Sequence, residues 1–189
     1  MKNLLLIICC FVSLACAAQT RINGNFPFQS DPAKKYSIYV PAAYNAAKPH
    51  RLMLGLHPLN TSRWNGASWC DTLVKFAETN NLLLVCPDGG TDGAIDDPID
   101  TAFTSSLLDS MQIWYNIDKK KVYVMGFSWG GKTTYSYGIS HAWRFAGFMP
   151  IGAATNGTND VKGIIQHAAG KPFFLVHGSA DSPNNRFYP

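Results

Sequence analysis

The chain has 189 residues, 47% of them hydrophobic and 15% charged, with a formal net charge of +4. That length and apolar content can bury one sizeable core and exclude a disordered chain. So small and dispersed a charge gives no basis for a nucleic-acid partner.

The chain opens MKNLLLIICCFVSLACAA. Lys2 supplies a positive start, residues 4–14 an apolar run, and Ala15-Cys16-Ala17-Ala18 a set of small residues. This is the pattern of a secretory signal peptide over residues 1–18, cut before Ala18 or Gln19. The run is too short for a transmembrane helix, so stable membrane insertion is not expected. Residues 19–189 are then one domain in a secreted or periplasmic protein. Cys9, Cys10 and Cys16 fall in the signal, which leaves Cys70 and Cys86. In an exported chain they are a candidate disulfide, with two buried thiols as the alternative. Neither has a CxxC partner or a neighbouring histidine cluster, so no metal is indicated.

Apolar periodicity predicts strands at 36–40 and 51–57, then a helix over 67–80 with Leu73, Val74, Phe76 and Ala77 at helical spacing. The continuous run LLLVC at 82–86 predicts a third strand. The following loop, 91–98, carries Asp92, Asp96 and Asp97, with Asp100 just beyond. It lacks the spacing of a calcium-binding EF-hand and reads as a solvated loop near a cleft. A helix over 101–115 leads through Lys119-Lys120-Lys121, read as a solvated turn, to a strand at 121–127. Further elements are expected at 131–140 (helix), 145–151 (strand), 161–169 (helix) and 172–177 (strand). Strands alternating with helices imply an α/β fold with a mostly parallel, doubly wound sheet.

The strand at 121–127 ends in Gly126-Phe127-Ser128-Trp129-Gly130-Gly131. A serine flanked at two residues on each side by glycine, between a strand and a helix, has the spacing of a nucleophile elbow. Ser128 at a helix N-terminus faces free N–H groups and the positive end of the helix dipole. The Trp129 N–H would point at an oxyanion formed there, and each such donor is worth about 10²–10³ in rate. A second donor should come from the loop after the 51–57 strand. Pro58 has no N–H, so Leu59 is the candidate, with Asn60 behind it.

A serine hydroxyl also needs a base and an orienting acid. The segment His177-Gly178-Ser179-Ala180-Asp181 places Asp181 just past a strand end and after Ser128 in the chain, as the order Ser, Asp, His requires. Asp160 is a more distant alternative. All five histidines (His50, His57, His141, His167 and His177) precede Asp181. His57 and His177, at strand ends, read as structural, and His141 and His167 as packing or surface residues. Trp64, Trp69 and Trp129 lie in or near loops expected to face the cleft, where they would contact substrate unless they pack in the core. No motif calls for a cofactor.

Together the segments RLMLGLHP, LLLVCPDGG, YNIDKKKVYVMGFSWGG and KPFFLVHGSAD resemble the secreted α/β-hydrolase esterases that include polyhydroxybutyrate depolymerases and feruloyl or acetylxylan esterases. The likeness runs from about Tyr36 to Asp181. It implies a serine esterase acting on a small or polymeric ester through an acyl-enzyme on Ser128. Asp181 would be the triad acid, and Trp129 and Leu59 the oxyanion hole. The chain departs from the family at His57-Pro58, where histidine-glycine is usual. The family also continues past the acid through a further helix, strand and histidine loop, so the resemblance implies a domain that is C-terminally incomplete here: a truncated chain, one with an unusual base, or one that is not a hydrolase as it stands. A catalytically silent domain that binds polysaccharide or polyester is the other reading.

Overall fold

The computed structural model describes residues 20–59, 62–96, 98–153, 155 and 161–181. Among the described residues six strands are formed: β1 (Thr20–Asn25), β2 (Lys35–Val40), β3 (His50–Leu56), β4 (Leu82–Pro87), β5 (Ile117–Phe127) and β6 (Gly147–Ile151). Three helices connect them: α1 (Gly66–Thr79), α2 (Thr101–Trp114) and α3 (Trp129–Ser140). The strands lie in one sheet in the order β1-β2-β4-β3-β5-β6. β1 and β2 run antiparallel to their neighbours, whereas β4, β3, β5 and β6 are mutually parallel.

The parallel strands are continuous apolar runs because helices cover both of their faces. Side chains alternate across the sheet. Leu52, Leu54, Val85 and Val124 point into a core shared with α2 and α3, which contribute Phe103, Leu107, Met111, Tyr135 and Ile139. Met53, Leu84, Cys86 and Met125 point the other way, onto Trp69, Cys70, Leu73 and Ala77 of α1. α1 begins at a capping box, in which the Asn65 side chain accepts from the Ser68 N–H and the Ser68 hydroxyl accepts from the Asn65 N–H.

Several expectations are corrected. β1, sequence TRINGN, has no apolar run to announce it. It is held instead by its ladder with β2, by the Ser37 hydroxyl donating to Asn23 at 2.6 Å, and by Arg21, which pairs with Asp71 at 2.9 Å. The helix expected over 161–169 reduces to turns and a short 3₁₀ segment, Ile165–Ala168. Gly163 and the β-branched Val161, Ile164 and Ile165 are weak helix formers. Residues 172–177 run beside β6 without becoming a full strand. Parallel bridges join Phe148 to Phe173 and Ile151 to Val176, and Pro172 has no N–H to donate. Lys119, Lys120 and Lys121 are exposed, as a solvated run should be, but they lie within β5 rather than in a turn. Cys70 and Cys86, the candidate disulfide, are both buried free thiols. They hydrogen-bond to each other, and burial pushes the Cys86 thiol well above its ordinary range. Residues 1–18, Asn60, Asp97 and Asp160 lie outside the described residues.

The crossing of α3 over β3 and β5 is backbone against backbone. A Cβ on Gly126 would lie 2.2 Å from the Gly130 carbonyl group, and one on Gly130 would lie 2.1 Å from the Leu56 carbonyl oxygen. Neither contact can be relieved by turning a side chain. Gly130→Ala should therefore cost about 3 kcal/mol, a fall in Tm of roughly 6–12 °C for a domain of this size. Gly163→Ala, where nothing lies within 4 Å, should change stability by less than about 0.5 kcal/mol. Calorimetry of both variants checks the contrast.

Candidate active site

The turn from β5 into α3 places Ser128 at the carboxyl end of the sheet, where active groups of parallel sheets gather. Its backbone has φ 55° and ψ −111°. For a residue with a Cβ this is a strained region that costs about 1–3 kcal/mol unless the surroundings impose it. They do so here. The Ser128 N–H donates to the Ile151 carbonyl at 2.8 Å, and the Ser128 carbonyl accepts from Lys132 at 2.9 Å as the first bond of α3. Gly126 and Gly130 allow the approach that this turn needs. The strand passes into the helix within this one residue, and the helix starts at Trp129 rather than at Gly131. Ser128 itself is half-buried.

Trp129 is the first residue of α3, so its N–H has no intrahelical acceptor. Leu59 follows the buried Pro58 at the end of β3 and is 39% exposed. The loop that carries it packs directly on the first turn of α3, because a Cβ on Gly130 would also meet the His57 carbonyl oxygen at 2.7 Å.

Asp181 leaves the same end of the sheet. Ile151 pairs with Phe127 on one side and with Val176 on the other, and the Gly152 N–H donates to the Val176 carbonyl at 2.7 Å. Five residues further, the Asp181 carboxylate accepts from the Gly178 N–H at 3.0 Å, closing a tight turn.

His50 and His141 each bond the backbone through one ring nitrogen, and His57 through both. His50 bonds Asn45, and His141 bonds the Tyr137 carbonyl at 2.9 Å. His57 is 1% exposed; its Nδ1–H donates to the Pro58 carbonyl at 2.6 Å, and its Nε2 accepts from the Gly89 N–H at 2.9 Å. That acceptor role requires the neutral ring, and burial holds the pKa below its ordinary 6.5. His57 thus ties the loop after β3 to the loop after β4. His167 is exposed, and His177 is half-buried at the end of the 172–177 segment.

The tryptophans separate. Trp69 is 6% exposed, stacked on Phe127 with centroids 6.3 Å apart, and belongs to the core under α1. Its expected place in the cleft is corrected. Trp64 is half-buried, edge-on to Trp69 at 5.7 Å. Trp129 is half-buried, and its indole N–H donates to Asp96 at 3.0 Å. The acidic loop is not solvated throughout. Ala94 and Ile95 are buried, and Asp100 is 3% exposed in an ion pair with Lys34. An acidic stretch signalled that a loop was here. Nothing in the sequence pointed to its bond with Trp129 or to the bridge from His57 to Gly89.

No family model matches the sequence. The chain is similar to a bifunctional acetylxylan esterase/xylanase from Neocallimastix patriciarum, 34% identical over 154 residues that make up 78% of this chain and 22% of that protein. It is similar to a feruloyl esterase D from Neurospora crassa, 25% identical over 177 residues, 88% of this chain and 57% of that one. The chain thus spans 22% to 57% of the length of these curated relatives. Among solved structures, an acetyl xylan esterase from Aspergillus awamori superposes with a TM-score of 0.68 at 16% identity, over 90% of this chain and 75% of that one. Its homologues are feruloyl and acetylxylan esterases, and its fold is that of the α/β-hydrolases.

Because folding holds His57 neutral, the sign of its pH effect is set. Its stabilisation is fully present above the unfolded pKa of 6.5 and declines as pH falls below it toward the folded value. Urea unfolding from about pH 7.5 to about pH 5.5 should show wild type losing stability that His57→Gln does not lose, so the gap between the two narrows on acidification.

Proposed function

We propose that the protein is a carboxylic ester hydrolase in which Ser128 attacks the ester carbonyl. The observation that carries this reading is the backbone of Ser128, a non-glycine residue held at φ 55° between a strand and a helix. Such strain persists only where the surrounding structure imposes it, and it turns the hydroxyl out at the helix N-terminus.

In this reading the Ser128 hydroxyl gives its proton to solvent water as its oxygen bonds to the carbonyl carbon, that proton being returned to the departing alcohol, and the carbonyl oxygen becomes an oxyanion facing the N–H groups of Trp129 and Leu59. The tetrahedral intermediate expels the alcohol, which takes up a proton, and leaves an acyl-enzyme. Water then adds and releases the acid. Asp181 is the proposed orienting acid, supported by its exit from the same sheet end as Ser128. We assign no residue of this chain to the base. A feruloyl or acetylxylan-type substrate is proposed from the relatives and a polyester-type one from the sequence resemblance, with Trp64 as a candidate contact for an aromatic or sugar ring. A silent domain that binds polysaccharide or polyester is favoured by one observation, the commitment of the His50, His57 and His141 ring nitrogens to backbone groups.

Covalent labelling by a fluorophosphonate separates the two readings. A hydrolase is labelled at Ser128 and loses p-nitrophenyl ester turnover by at least about 10³-fold in Ser128→Ala. A protein that is never labelled, or one whose turnover survives Ser128→Ala, is not this hydrolase. We also propose export through the signal read over residues 1–18. Protein recovered from the medium or periplasm should then begin at Ala18 or Gln19 by N-terminal sequencing, and an intact Met1 there would overturn the proposal.

A further inference from the structure

We propose that Asp96 is a positioning residue that acts on Ser128 through Trp129. The proposal rests on the hydrolase reading above, in which the Trp129 N–H receives the oxyanion. A half-buried indole at the first position of a helix can turn about two side-chain bonds, and two contacts prevent it here. The indole N–H donates to the Asp96 carboxylate at 3.0 Å. The Lys132 ammonium, one turn along α3, sits 3.9 Å from the ring centroid as a cation–π contact. Asp96 is itself immobilised, since its N–H donates to Asp100 Oδ2 at 2.8 Å and its carbonyl accepts from the Asp100 N–H at 2.6 Å.

Asp100 anchors this arrangement by its burial and its ion pair with Lys34. The loop also reaches α3 at a second point, where the Thr133 hydroxyl donates to the carbonyl of the buried Ile95. Trp129 and Thr133 are four residues apart and so lie on one face of α3. The loop therefore grips the first turn of the helix at two points. Lys34, Asp100, Asp96, Trp129 and Lys132 form a chain of charge-assisted contacts from the sheet edge to the residue beside the nucleophile. By holding the Trp129 side chain it restrains the backbone N–H of the same residue within the turn that the main chain sets, and with it the geometry in which an oxyanion is received.

The test is the rate of fluorophosphonate labelling at Ser128 in the full-length protein, together with the indole N–H resonance of Trp129, assigned by its loss in Trp129→Phe. Asp96→Ala should slow labelling about tenfold and move the resonance, since a charge-assisted bond to the indole is lost. Asp96→Asn, whose amide oxygen still accepts, should keep most of the rate. In a Trp129→Phe background, Asp96→Ala should have no further effect, because the indole through which it acts is gone. Wild-type labelling that Asp96→Ala leaves unchanged overturns the proposal, as does an equal loss in the Trp129→Phe background. A wild-type protein not labelled at Ser128 overturns the hydrolase reading, and this proposal with it.

Discussion

Everything at the carboxyl end of this sheet depends on two main chains passing closer than a methyl group allows. α3 crosses β3 and β5 with Gly130 against the Leu56 carbonyl and Gly126 against the Gly130 carbonyl. That closeness fixes where the helix begins and forces the link between strand and helix into one residue, Ser128. Once the link is so short, its conformation is no longer a local choice. The strain of a residue with a Cβ at φ 55° is offset by contacts on three sides: the Ile151 carbonyl from β6, the loop after β3 against the first turn, and the Lys132 N–H from the helix itself. The serine is thus held by main-chain groups drawn from β6, the loop after β3 and α3.

The tight turn from β5 into α3 was legible in the sequence because its demand is steric and falls within six consecutive residues. Only glycine satisfies it at Gly126 and Gly130. The parallel sheet was legible for a similar reason, since strands buried on both faces must be apolar throughout, as LLLVC at 82–86 is. β1 was not legible. Ile22 is its one large apolar residue, and its stability lies in the partner strand rather than in its own pattern. The 161–169 segment misled through its apolar content, which packs from turns and a 3₁₀ segment as well as from an α-helix. Trp69 could not be placed by its nearness to a loop, because a helix that starts at Gly66 turns that ring inward. The bridges from Asp96 to Trp129 and from His57 to Gly89 join residues more than thirty positions apart, where single-sequence reasoning has no handle.

The acidic loop shows how composition can mislead about environment. Several aspartates in a short stretch suggest solvation, yet each described one has a stated duty. Asp92 accepts from the Ala94 N–H, Asp96 from the Trp129 indole, and Asp100 from the Asp96 N–H while it pairs with Lys34. Asp31, from the connection between β1 and β2, accepts from Thr91 through both its N–H and its hydroxyl. Carboxylates suit this work because each accepts several bonds at once and makes a loop rigid without apolar side chains.

The strand order also sets a timetable. Leu52 of β3 lies between Leu83 of β4 and Val122 of β5, so every parallel pairing joins segments distant in the chain. Non-local pairings of this kind form late, since each must first close a long loop. The pose of Ser128 needs the Leu56 and His57 carbonyls, the Gly130 crossing and the Ile151 carbonyl together. It is therefore completed only when β3, β5, α3 and β6 have all docked. A nascent or half-folded molecule carries at position 128 an ordinary relaxed serine, and the strained residue exists only as a property of the finished fold.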